Sequence, residues 1–328
     1  MLALIRDGRH DPPVTLREVT APEPAPNEAL VDVYASSLNR GELALLAGRP
    51  DGWRPGQDIA GVIAQRAGSG EGPPVGARVV GLVESAGWSQ RVAAPVARLA
   101  ELDDAVSFEH AATLGIAGRT ALRTVQLAGP LLGRTVLVLG AGGGVGHLAV
   151  QLAALAGARV TAQLRDPARA TELIDVGAER VVTGDQLQTA TFDVVLDGVG
   201  GAWLHRAIDA IRPEGTIVLF GAADPEPAKL TLLDFIGHEG ARILTYFSYA
   251  SGDEASIGAD LATLAELVAR GLLRPAVDVA IDWHQADRAI TALGAGHVNG
   301  KAVLTIHPSN NAEAASSPTL DAHTTAPA

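Results

Sequence analysis

TVLVLGAGGGVGHLAVQLAALAG, residues 135–157, carries the decisive fold signal of the chain. The run from Thr135 to Leu139 is β-branched or aliphatic and has strand composition. Five glycines follow within seven positions, and apolar residues then return at three- and four-residue steps, the spacing of a helix face. Strand, glycine turn and helix form the context a dinucleotide fingerprint needs, here AxGxxG on Ala141, Gly143 and Gly146, with Gly142, Gly144 and Val145 completing the turn. Absent Cβ atoms let main chain approach a pyrophosphate, and the helix start offers it unpaired N–H groups and a positive dipole end. A tight turn in an unrelated α/β sheet would use the same letters, so the flanking pattern decides. Residues 136–158 are uncharged and long enough to span a bilayer, but six glycines, His147 and Gln151 fit strand, turn and helix better.

Downstream, ARVTAQL, PARATELIDVGA, RVVT, FDVVLDGV, WLHRAIDAI and TIVLFG alternate between strand and helix character, as in a doubly wound parallel sheet. Dinucleotide binding is therefore favoured over the bare turn. An acid about 20 residues past the glycines would grip the ribose hydroxyls of NAD. Here the second strand ends in Leu164, Arg165, Asp166 and Pro167, and Asp followed by Pro reads as a helix cap and first helical position. That leaves Arg165, with Arg169 one turn on, to meet a 2′-phosphate, so NADPH is expected over NADH. Residues 242–247 read as the last strand of this sheet, and 259–271 as an amphipathic helix. Strands near 277–281 and 302–306, with a helix at 285–295 between them, are expected to rejoin the first part of the chain.

Upstream, short β-branched runs at 29–35, 59–64, 78–83 and 90–93 are punctuated by Pro and Gly, the pattern of a mostly antiparallel, barrel-like β domain. Helical spacing begins near Ser107 and leads into the second domain. A chain of 328 residues exceeds the roughly 250–300 at which single cores stop growing. The expected division is 1–115 with 270–307, then 116–269, then a disordered tail at 308–328 with no apolar period. The net charge of -12 argues against nucleic acid and anionic membranes as partners. With no Cys there is no disulfide, thiolate nucleophile or sulfur-based metal site, and the nine His are scattered singly. The apolar run at the start is too short for a signal peptide, so a cytoplasmic location is expected. Among 25 basic residues only Lys229 and Lys301 are not Arg, a bias attributed to genome composition before function.

NRGEL (39–43), PGQDIAGVI (55–63), AATLGIAGRTAL (111–122), the glycine turn, DVVLDGVGG (193–201), RPEGTIVLFG (212–221) and GHVNGKAVL (296–304) together resemble the zinc-independent quinone oxidoreductase branch of the medium-chain dehydrogenase/reductase superfamily. The resemblance spans residues 1–306. It implies an α/β chain with a Rossmann domain and a GroES-like, mostly antiparallel β-barrel domain. It also implies that nicotinamide lies near Asn39, Thr120 and the Phe220–Gly221 loop, bordered by Asp197, Gly198 and Val199, with Arg40 facing the pyrophosphate. Where zinc-using relatives carry a Cys and a His-Glu pair, this chain has Asn39, Gln57 and Asp58; amides are poor zinc ligands, so no metal is expected. Quinone oxidoreductases often carry a Tyr a few residues after the first Asn, and Ala44 stands there.

Without a Lewis acid, charge developing on a substrate oxygen needs another home, which disfavours simple alcohols. A conjugated carbonyl spreads that charge into an enolate or hydroquinone anion, within reach of a few oriented donors. Asn39, Thr120 and Arg40 are the candidate donors, although Asn39 can equally tie its own loop. Tyr249, Tyr246 or water can return the proton. The expected function is NADPH-dependent, metal-free reduction of a quinone or an α,β-unsaturated ketone or aldehyde by a homodimer paired along residues 242–247. The alternatives are an enoyl reductase of a polyketide-like pathway, and a non-redox cofactor-binding protein or cyclase on the same fold.

Overall fold

The computed structural model describes residues 1–187, 189–248 and 254–307. The fingerprint strand is β8 (Thr135–Leu139), fully buried apart from its first residue and therefore able to sit mid-sheet. With β9 (Arg159–Gln163), β10 (Arg180–Val182), β11 (Phe192–Asp197), β12 (Ile211–Leu219) and β13 (Arg242–Thr245) it forms a parallel sheet in the order β10-β9-β8-β11-β12-β13. That order reverses direction between β8 and β11, the switch point where such sheets open a crevice at their carboxyl ends.

The second sheet is built from both ends of the chain. β3 (Glu28–Ser37), β4 (Asp58–Gln65), β5 (Arg78–Leu82), β7 (Leu99–Glu101), β14 (Val277–Asp282) and β15 (Lys301–Thr305) run in the order β14-β15-β3-β4-β5-β7, and β6 (Arg91–Pro95) also pairs with β3. All contacts are antiparallel except β14 with β15. The ten-residue β3 changes partner along its length: Glu28 to Asp32 pair with β6, and Ala35 to Ser37 with β15. The C-terminal strands thus rejoin the first part of the chain as the sequence implies.

Beyond that reading lie the hairpin of β1 (Leu2–Arg6) and β2 (Val14–Glu18), the short β7, and helix α1 (Arg40–Gly48). α1 starts on a capping box in which a Glu42 carboxyl oxygen accepts from the Asn39 N–H. The connection between sheets is α2 (Phe108–Ala112), a π-turn over Leu114–Gly118, and α3 (Arg119–Leu127). The fingerprint helix is α4 (Gly144–Leu155), followed by α5 (Ala170–Asp175), α6 (Trp203–Ala210), α7 (Ile257–Ala269) and α8 (Ala286–Gly294). α7 buries Ile257, Leu261, Leu264 and Ala265 on one face and packs against α3 and β7.

One apolar core runs through both sheets: Ala35, Ala60 and Val80 of the antiparallel sheet pack in the same cluster as Leu114, Val138, Leu148 and Leu261. Trp88, Trp283, Ile59 and Leu46 fill a second core inside the barrel-like sheet, and a third lies beneath α6. Among the described residues no helix is long and apolar enough to cross a membrane. The expected tail, 308–328, and Tyr249 lie outside the described residues.

Candidate active site

The glycine turn leaves β8 at Gly140, where φ is +73°, and caps α4 at Gly143. Its close packing explains the third fingerprint glycine, because a Cβ on Gly146 would lie 2.3 Å from the Gly140 carbonyl oxygen. Ala141 donates its N–H to Gln163 O (3.1 Å), tying the turn to the end of β9. The loops after β11 and β12 close the same end of the sheet. A Gly198 Cβ would meet the Phe220 ring at 2.7 Å, and Val199 packs beside Gly140. Gly221 lies against the Gly198 carbonyl. Asp197 Oδ1 accepts from the N–H groups of Val199 (2.8 Å) and Gly200 (3.0 Å), and burial raises its pKa. Asp197 therefore holds the loop that borders the crevice.

At the end of β9, Asp166 accepts from Ala168 N (3.0 Å) as a cap. Arg165 is exposed and donates a long hydrogen bond to Gly296 O (3.5 Å). Arg169 is more committed. Its guanidinium forks onto Glu172 and also donates to Gly142 O and Asn299 Oδ1, both at 3.2 Å. It braces the glycine turn against the C-terminal segment. His147 is buried beside Gln151, and desolvation lowers its pKa. Gln151 in turn bonds main chain at Arg274 in both directions (2.7 and 3.0 Å).

Across the crevice, Asn39 sits at the centre of a buried polar cluster. Its Nδ2 donates to Asp58 Oδ2 (2.9 Å), and its Oδ1 accepts from Lys301 Nζ (2.5 Å). Lys301 Nζ also donates to Leu38 O (2.8 Å) and stands 3.6 Å from Asp58 Oδ2. Asp58 further accepts from Ser37 Oγ (2.5 Å) and, from the π-turn, Ile116 N (2.7 Å). Burial followed by the Asp58 charge pushes the Glu42 carboxyl up to about 8, and burial lowers the Lys301 ammonium. Thr120 is buried in the first turn of α3, one turn beyond Ile116, and Arg40 is exposed at the start of α1. Tyr246 is buried just past β13, its N–H bonded to Leu219 O.

The residues do not fit zinc. Of the three positions where related enzymes hold the metal, only Asp58 offers an ionisable ligand, and the oxygens of Asn39 and Asp58 already face a lysine ammonium. Among the described residues no group of three or more His, Asp or Glu is placed to hold a metal. The glycine turn does fit a dinucleotide: Gly143 is exposed at the helix start, and a Cβ there would have only the Gly140 carbonyl nearby, at 3.5 Å. Sequence reading singled out Asn39, Gln57 and Asp58 but not Glu42 or Lys301. The signal for Lys301 was one of the chain's two lysines standing in a strand among apolar residues, a place where an unpaired ammonium is costly.

A parallel sheet with a glycine turn at its switch point thus faces polar groups from a barrel-like sheet. A family model described as "Zinc-binding dehydrogenase" matches residues 168–304. The chain is 32% identical over 297 residues to the spectinabilin polyketide synthase system protein NorB of Streptomyces orinoci, covering 87% of this chain and 13% of that protein. It thus spans about an eighth of the length of the polyketide synthases it matches, 12–14% of each. A probable quinone oxidoreductase of Schizosaccharomyces pombe is 29% identical over 235 residues, 67% of this chain and 71% of the relative. The solved quinone oxidoreductase from Coxiella burnetii is 25% identical and superposes with a TM-score of 0.79, covering 94% of this chain and 99% of that one. These similarities support placing the chain with the medium-chain dehydrogenase/reductase superfamily, near its quinone oxidoreductase-like branch.

Proposed function

We propose that the chain is an NADPH-dependent reductase that delivers hydride to a conjugated carbonyl, a quinone or an α,β-unsaturated ketone or aldehyde, without a metal. The observation that carries this reading is the Lys301 ammonium bonded to Asn39 Oδ1 where related enzymes set a zinc ligand. Charge developing on an acceptor oxygen then has to be met by hydrogen-bond donors, which suits acceptors that delocalise it. Bound NADPH would supply the hydride. The N–H groups at the start of α4 would hold its pyrophosphate, and exposed Arg165 would fork onto its 2′-phosphate. Asn39 and Thr120 would donate to the acceptor oxygen.

Titration with NADPH and NADH, followed by turnover over quinones, enals and enoyl thioesters, tests this. A chain that binds neither reduced coenzyme sinks the reading. The second reading, an enoyl reductase in polyketide-type assembly, is favoured by the polyketide synthase relatives and would show as a preference for enoyl thioesters over quinones. We also propose that two copies pair along β13. That edge strand carries Leu244 at its surface, exposed Phe247 follows it, and Leu232, Leu233 and Ile236 in the segment before it are exposed too, Leu232 at 87%. A monomer by light scattering would refute the pairing.

A further inference from the structure

We infer that Lys301 is a positioning residue: its ammonium holds the Asn39 side chain with the oxygen turned inward and an amide hydrogen turned to the crevice. An Asn amide carries two N–H donors and one acceptor oxygen, and which of them meets a ligand is set by its partners. Here the oxygen is taken by Lys301 Nζ at 2.5 Å, and one hydrogen is taken by Asp58 Oδ2 at 2.9 Å. Flipping the amide would point NH2 at an ammonium and a carbonyl oxygen at a carboxylate, two repulsions in a buried site. The second amide hydrogen has no acceptor among the described residues and is available to a substrate oxygen.

Lys301 is itself fixed from several sides. Leu38 O accepts from Nζ at 2.8 Å, Asp58 Oδ2 balances its charge at 3.6 Å, and the residue is 5% exposed. Its stem runs along the glycine turn, where a Cβ on Gly144 would fall 2.5 Å from Lys301 Cδ. One side chain therefore ties the turn that would hold the coenzyme to the amide that would meet the acceptor. A lysine ammonium takes up the oxygens that a metal would otherwise draw in, and it orients a donor where a metal would polarise the acceptor directly. The inference rests on the reading that the crevice reduces a conjugated carbonyl.

The test is Lys301→Met in the full chain, beside Lys301→Met with Asp58→Asn, which keeps the cluster neutral if the single variant folds poorly. NADPH affinity is measured by fluorescence titration, and steady-state rates are taken with a benzoquinone and a 2-enal. The expected result is a kcat about 100-fold lower, the scale of a lost oriented donor, with acceptor KM changed by about threefold or less because ground-state binding survives. Propylammonium added to Lys301→Ala should recover part of the rate. Unchanged kcat, or a loss confined to NADPH affinity, overturns the inference and makes Lys301 a packing residue or a coenzyme contact. A wild-type chain that binds NADPH yet reduces no acceptor is a separate signature: it removes the proposed function, and the positioning role falls with it.

Discussion

Replacing Glu42 by Gln should make the protein more stable in mild alkali and leave it nearly unchanged in mild acid. Glu42 is buried beside Asp58, and its carboxyl rises from 4.5 to about 8. A folded pKa above the unfolded one means that the native state holds a proton the unfolded chain has released. Stability from this group is therefore full below pH 4.5, declines as pH rises, and is lost above about pH 8. Through that interval, at about 1.4 kcal/mol for each pH unit, the loss is on the order of a few kcal/mol, shared with Asp58 and Lys301, whose charges act on the same carboxyl. Gln keeps an oxygen for the Asn39 N–H and has no charge to desolvate. Denaturant melts at pH 5, 7 and 9, followed by tryptophan fluorescence, report on the relevant region because Trp88 and Trp283 share a core with Leu46 of α1. The variant's stability should rise above wild type progressively with pH. Parallel stability curves for the two proteins from pH 5 to 9 would refute the argument that burial holds this carboxyl protonated.

Three further outcomes are expected. Arg165→Ala should raise the KM for NADPH at least tenfold more than that for NADH, about the scale of a lost charged hydrogen bond; equal effects on both coenzymes would remove Arg165 from the 2′-phosphate. Chelators should leave turnover unchanged, and one zinc per chain in purified active protein would contradict the metal-free reading. Leu232→Asp with Ile236→Asp should shift a dimer to monomer in light scattering while far-UV circular dichroism is kept, because both side chains are exposed in the single chain; an unchanged mass would clear this face of any role in pairing.

The parallel sheet was legible because its signals are local. Thr135 to Gly146 spell strand and turn within twelve positions, and Asp166 before Pro167 announces a cap that the structure bears out. The return of the last strands to the first sheet was readable as order, since residues 302–306 have strand composition after the alternation ends. Helix α1 was not read, because nine residues opening on Arg40 and Gly41 carry only a weak amphipathic pattern. The polar cluster was half legible. Asn39 and Asp58 stand in recognisable motifs, but what a carboxylate or lysine faces after folding depends on contacts between distant segments, which periodicity does not encode. Lys301 was noted only as one of two lysines among the basic residues, and its ammonium reaches Asn39 and Leu38 in the structure. Arg169 was read as a helper of Arg165 at the 2′-phosphate; its contacts to Glu172 and Gly142 O, which brace the turn, carried no signal in the sequence.

The contact between Asn39 and Lys301 joins residues 262 apart in the chain. During synthesis every strand of the parallel sheet, through Thr245, is made before β15 exists to pair with β3. The half that carries the parallel sheet can begin to organise on the ribosome, whereas the ammonium bonded to the Asn39 amide arrives with one of the last strands. Nascent chains halted before residue 301 should therefore gain coenzyme affinity well ahead of any capacity for turnover, so that competence to bind and competence to react are acquired at different lengths of polypeptide.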